Sequence, residues 1–136
     1  MGFRNVGDAR LYQRSGGRLE LITEDDSVEQ LLVNEGLMKP QEGIRSSYMH
    51  ALTQSVGGAS HYHPIDPHMY PLAIGNHTRF LICTDGVTDM LSVKEMETFV
   101  VPTLRPASAV QTLFSAAMEA GGRDNITIAI VDVEPR

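Results

Sequence analysis

Residues 78–91 read TRFLICTDGVTDML, an apolar run of strand length that stops abruptly at Asp85-Gly86. From Phe80 to Cys83 odd and even positions alike are apolar, so neither face of this strand suits water. Such a strand lies inside a sheet covered on both sides. Its end therefore places Asp85 at the rim of a core, where the side chain is carried on a rigid element.

Downstream of this stretch, Ser92 and Glu95 have the spacing of a capping box, which predicts a helix from Ser92 through Thr98. Pro106 opens a second helix whose apolar face is expected to be Val110, Leu113, Phe114, Ala117 and Met118, stopped by Gly121-Gly122. The last strand, Asn125 to Val133, is rich in β-branched residues. Upstream, Asn5 to Tyr12, Gln13 to Arg18 and Leu19 to Ile22 read as strand, Ser15-Gly16-Gly17 turn and strand, a hairpin. Thr23-Glu-Asp-Asp-Ser27 offers acceptors to free helix N–H groups, and a helix from about Asp26 to Asn34 follows, ending near Gly36. Lys39 to Ala73 carries seven Pro and Gly residues with little periodicity, so the 39–73 segment is expected to be loop-rich. The order of strands, helix, loop, strand, helices and strand gives an α+β mixture with mostly antiparallel pairing over one domain, 1–136.

Composition narrows the function. The chain has 136 residues, 42% hydrophobic and 21% charged, ordinary globular usage, and enough length to bury about two-thirds of its unfolded surface. Eleven Lys and Arg against seventeen Asp and Glu give a net charge of −6. With no basic cluster to meet phosphates, nucleic acid is not an expected partner. The apolar runs are far shorter than the about 20 residues a membrane span needs, so no membrane partner is expected. The single cysteine, Cys83, excludes an internal disulfide framework and fits a reducing, cytoplasmic setting.

Two acids share one logic: Asp85 follows a buried strand and Asp124 precedes one. Carboxylates fixed at strand ends can converge on a hard cation such as Mg²⁺ or Mn²⁺, which takes oxygen ligands. On spacing alone, the alternative also stands that Asp85-Gly86 and Asp124-Asn125 are turn residues capping backbone groups.

Three stretches add a resemblance. FLICTDGVTDML (Phe80–Leu91), GGRDNITIAIVDV (Gly121–Val133) and NVGDARLY (Asn5–Tyr12) are similar to motifs of the PPM (type 2C) metal-dependent serine/threonine protein phosphatases, and stand in the order found in that family's C-terminal half. The resemblance covers nearly the whole chain. It implies a partial α-β-β-α sandwich lacking the family's N-terminal half. It implies a hydrolase in which water activated by two divalent ions attacks a phosphoserine or phosphothreonine ester. Asp85 and Asp124 match aspartates that bind one ion of the centre, and Asp8 matches one that, with Asp85, holds a more weakly bound further metal. Thr88 and Asp89 fall beside the centre, and Asn125 corresponds to a residue that orients its neighbours.

The family's remaining motifs have no counterpart here. The sole Asp-Gly is Asp85-Gly86, and no Gly-Gly-His follows it. The bridging aspartate, the histidine near the leaving group and the phosphate-binding arginine are likewise unmatched. The expectation is a partial Mg or Mn site holding one ion weakly, with no catalytic residue assigned. Turnover would require a complementing protein, and uncovered apolar faces imply a homodimer or other homo-oligomer. A non-catalytic phosphatase-like module acting by dimerisation or partner binding is the alternative.

Rival signals point elsewhere. His61, His63, Asp66 and His68 (HYHPIDPH) resemble a transition-metal cluster in composition, but the prolines among them give no reason to converge. Cys83, inside an apolar strand, reads as a small buried hydrophobe with an unreactive thiol. Several of the six internal methionines from Met38 to Met118 read as core gap-fillers; Arg79 and Arg105 default to solvated surface, and Arg123, beside Asp124, is expected to pair with an acid.

Overall fold

The computed structural model describes residues 1–39, 48–57, 64–75 and 77–134. Its strands are β1 (Gly2–Asn5), β2 (Arg10–Ser15), β3 (Arg18–Leu21), β4 (His68–Pro71), β5 (Thr78–Cys83) and β6 (Ile128–Val133); its helices are α1 (Val28–Asn34), α2 (Asp85–Thr88), α3 (Val93–Phe99) and α4 (Pro106–Glu119). A four-stranded sheet runs β3-β2-β5-β6, antiparallel throughout, and β1 and β4 form a separate antiparallel ribbon. The expected mixed, antiparallel architecture is the one observed.

Strand β5 is central, as its continuous apolar run demands. Leu81 and Cys83 pack with Tyr12, Leu19, Val87, Met96, Val100 and Leu113 under the helices, while Phe80 joins Leu11 and Leu72 on the opposite face. The β2–β3 hairpin turns on Gly16 (φ 54°) and Gly17 (φ 89°) between the paired Ser15 and Arg18. Both central residues lie in the left-handed region that a two-residue hairpin turn requires and glycine adopts freely. Helix α3 begins with the expected box: the Ser92 Oγ accepts from the Glu95 N–H, and Glu95 Oε2 accepts from the Ser92 N–H at 2.8 Å.

Several expectations need correction. The first strand does not run on from Asn5 to Tyr12, because Gly7 at φ 98° turns the chain; Asn5 ends β1, and β2 starts at Arg10. Within the loop-rich segment, His68–Pro71 pairs with β1, Phe3 opposite Tyr70, a long-range pairing that local composition does not signal. Helix α1 starts at Val28, two residues late, since Asp26 bonds elsewhere and Ser27 is the cap. The buried stripe of α4 is Ala109, Leu113 and Ala117, leaving Phe114 and Met118 more than two-fifths exposed. Met69 is also exposed, while Met96 fills the core as expected. Asp124 lies on an exposed loop four residues before β6 begins.

Arg79 departs furthest from its surface default. It is 4% exposed, and its guanidinium donates to both carboxylate oxygens of Asp132 (2.6 and 2.7 Å) and to the carbonyls of Val101 and Leu104. Its planar fork ties β5 and β6 to the chain between α3 and α4, with the charge paired and the donors used.

Candidate metal centre

Asp85 and Asp124 are brought together by backbone, beginning at the residue that follows β5. The Thr84 N–H donates to the Thr127 carbonyl (3.2 Å), Thr84 Oγ1 accepts from the Thr127 N–H (3.0 Å), and the same hydroxyl donates to the Asn125 carbonyl (3.1 Å). Gly86 then lies so close to this segment that a methyl group on its α-carbon would overlap the Asn125 carbonyl oxygen and come within 3.3 Å of the Asp124 oxygen. The glycine of Asp-Gly is needed for this close approach, and its backbone is otherwise ordinary. On the facing loop, Asp124 Oδ1 accepts from the Asn125 N–H at 2.6 Å, which fixes one carboxylate oxygen.

Asp85 opens the one-turn helix α2 and is partly buried. Burial pushes its carboxyl above the ordinary value, and the charges of Asp8, Asp124 and Asp89 push it further, against the opposing hydrogen bond from the Gly86 N–H. The charges of Asp8, Asp124 and Asp89, all acids singled out from sequence, thus act on Asp85 in the direction that disfavours its ionised form. An all-carboxylate donor set suits a hard divalent cation rather than zinc or copper, which favour imidazole and thiolate. A cation there would relieve the repulsion that now favours protonation. The carboxylates do not close into a complete shell: among the described residues, no three His, Cys, Asp or Glu side chains form a group able to hold a metal ion.

The neighbouring positions have distinct tasks. The Asp89 N–H donates to the Asp85 carbonyl at 2.8 Å, closing α2, and its exposed carboxylate adds charge to the site. Thr88 Oγ1 lies 3.5 Å from the Asp85 carbonyl, a long contact within the same turn. Asn125 contributes through its main chain, donating to Asp124 and accepting from Thr84.

Asp8 lies on the turn between β1 and β2, and that turn is held by residues with no obvious signal in the sequence. The Gly7 N–H donates to Asp26 Oδ2 (2.8 Å), and the Asp26 N–H donates back to the Gly7 carbonyl (3.0 Å). Asp26 Oδ1 accepts from Gln54 Nε2 (3.0 Å) and pairs with His68 Nε2 (2.8 Å). Burial pushes the Asp26 carboxyl up, but its bonds to Gly7, His68 and Gln54 together outweigh this and hold it below its ordinary value. Beside it, Arg10 donates Nε and Nη2 to Asp25 (2.6–3.1 Å), a bidentate pair joining the start of β2 to the same segment. The acidic run 24–26 looked like helix-start chemistry, which is why neither interaction was expected.

The rival signals resolve differently. His61 and His63 lie outside the described residues; His68 is taken by Asp26, and Asp66 meets Gln54 through its main chain. The Cys83 thiol is buried and pushed up to about 12, chiefly by desolvation, so it is an inert packing group. No helix among the described residues is long and apolar enough to cross a membrane.

No family model matches the chain, but individual proteins do. Serine/threonine protein phosphatase PstP of Mycobacterium tuberculosis is 33% identical over 138 residues, covering 98% of this chain and 25% of the relative. A structure of the PstP catalytic domain in complex with two manganese ions matches with a TM-score of 0.69 at 28% identity, over 98% of this chain and 54% of that one. The Streptococcus agalactiae serine/threonine phosphatase gives a TM-score of 0.85 at 29% identity, over 95% of this chain and 52% of that one. The PPM Ser-Thr phosphatase MsPP of Mycobacterium smegmatis, in complex with cacodylate, gives 0.81 at 31% identity, over 97% and 55%. The chain spans about half the length of these solved structures and a quarter of PstP.

Proposed function

From the homology of this chain to PPM-type serine/threonine phosphatases, we propose that it supplies one side of a Mg²⁺ or Mn²⁺ centre for hydrolysis of phosphoserine and phosphothreonine esters. The observation that carries the reading is the backbone contact of Gly86 with Asp124 and Asn125, which sets the Asp85 and Asp124 segments side by side, with Asp8 and Asp89 adding negative charge. Such a site repels a phosphate dianion. It suits phosphate chemistry only when cations reverse the sign of the local field. Bound divalent ions supply that charge and lower the pKa of the water that attacks phosphorus.

The chain's own residues do the positioning. Asp85 and Asp124 hold the charge from two segments fixed by the Thr84 bonds and the Gly86 contact, Asp8 adds a further carboxylate, and Asp89 serves through water. Asp8, Asp85 and Asp124 by themselves do not make a dinuclear centre, so turnover requires ligands from further polypeptide. An aryl phosphate or phosphopeptide assay with Mn²⁺ tests this. The chain alone should show no turnover above background, and adding the N-terminal half of a homologous domain should produce turnover that Asp85→Ala abolishes. Turnover by the chain alone, lost in Asp85→Ala, would overturn the requirement for a second polypeptide.

A specific observation supports the second reading, self-association. β6 is an edge strand, and on the face away from the helices Ala129 and Val131 are exposed, Val131 at 40%. An apolar sheet edge of this kind pairs readily with another copy. Sedimentation at micromolar concentration should find a dimer; a clean monomer removes this reading.

A further inference from the structure

We infer that Asp26 is a positioning residue for Asp8, holding the Gly7 turn that carries it. The inference rests on the metal-centre reading above, in which Asp8 and Asp85 share a cation. Asp26 is 5% exposed, and a buried charge is tolerated only where it is paired and hydrogen-bonded, so its partners show what it does. Capping α1 is not its task, because Ser27 Oγ accepts from the Gln30 N–H there. Asp26 instead grips Gly7 at two points, side chain to N–H and N–H to carbonyl. Gly7 is the residue immediately before Asp8, and its φ of 98° allows the turn.

The electrostatics explain why a clamp is needed. The charge of Asp8 disfavours the ionised form of Asp85, and a movement of the Gly7 turn would carry Asp8 out of place. Asp26 opposes that movement because it is itself anchored: Gln54 Nε2 and His68 Nε2 meet its other oxygen, and Gln54 also accepts from the Asp66 N–H at 2.7 Å. An asparagine could keep the bond to Gly7, but its NH₂ group would face the Gln54 donor and the His68 ring nitrogen. The negative charge is what allows these groups to converge on two oxygens.

The test is Mn²⁺ binding to the full chain, by calorimetry, for the wild type, Asp85→Asn, Asp8→Asn, Asp26→Asn and the Asp8→Asn/Asp26→Asn double variant. Asp26→Asn should weaken Mn²⁺ about tenfold, the lower end for residues that orient metal ligands, and should add nothing once Asp8 is Asn. In the metal-free chain, Asp26→Asn should also speed hydrogen exchange of the Gly7 amide. If Asp26→Asn weakens Mn²⁺ equally with and without Asp8, it acts by general loosening and the inference is wrong; unchanged affinity overturns it as well. If Asp85→Asn leaves Mn²⁺ binding intact, the metal-centre reading fails instead, whatever Asp26 does. Should Asp26→Asn not fold, His68→Ala removes one anchor at a half-exposed site and should weaken Mn²⁺ less than Asp26→Asn would, and only while Asp8 is present; no change there overturns the inference.

Discussion

Asp85 with Asp124, and Asp8 with Asp26, are two ways of fixing a carboxylate at one site. The first pair is set by main chain: a strand end, a threonine bonded across it, and a glycine touching the opposite backbone. The second is set by side chains from separate stretches, with Asp26, Gln54 and His68 meeting over the Gly7 turn. A backbone contact tolerates little change at one residue, whereas a polar hub spreads its hold over several. Backbone contact thus places Asp85, and a side-chain hub places the turn that carries Asp8.

The sharpest way to break the comparison is Gly86→Ala. A methyl group overlapping the Asn125 carbonyl must push the two loops apart, and overpacking of this kind costs about 1–3 kcal/mol. Urea unfolding should show a loss near the top of that range, together with loss of Mn²⁺ binding. A neutral result would mean that the loops are not locked by backbone contact.

On the other side of the comparison, Asp25→Ala leaves the Arg10 guanidinium, 32% exposed in its side chain, without its bidentate partner. Partial exposure discounts the cost from that of a fully buried pair, to about 1–2 kcal/mol. The same unfolding measurement should show a smaller change than Gly86→Ala produces.

These contrasts follow what was legible in the residues. The apolar run of β5, the Gly16-Gly17 hairpin and the Ser92–Glu95 box each declare themselves within a few positions, because their causes are local. The Asp85-Gly86 dipeptide showed where a carboxylate would stand, although the reason for its glycine, contact with Asn125, became visible only in three dimensions. The β1–β4 ribbon and the Asp26 hub join residues more than forty positions apart, and nothing near Asp26 distinguishes a clamp from a helix-start acid. The burial of Arg79 has the same kind of cause: its partner Asp132 lies on a strand that only the register of β5 and β6 brings alongside.

A finer contrast lies in the pH dependence of the two acids. Asp26 has a folded pKa below its ordinary 3.8, so it contributes stability above that value and loses it as pH falls through the depressed folded pKa. Asp85 has a folded pKa above 3.8. The folded state then holds its proton more tightly, and stability falls as pH rises from 3.8 through the raised value. In thermal melts at pH 7, Asp85→Asn should therefore raise the midpoint slightly and Asp26→Asn should lower it. Midpoints moving the same way would contradict the assignment of repulsion to one acid and clamping to the other.

The most direct test of the metal centre is a calorimetric titration of the 136-residue chain with Mn²⁺, beside its Asp85→Asn variant. One weak saturable site, weakened tenfold or more by the substitution, is the predicted result. An isotherm that Asp85→Asn leaves unchanged, no saturable binding at all, or two tight sites in the chain alone would contradict the assignment of Asp8, Asp85 and Asp124 as one side of a shared centre.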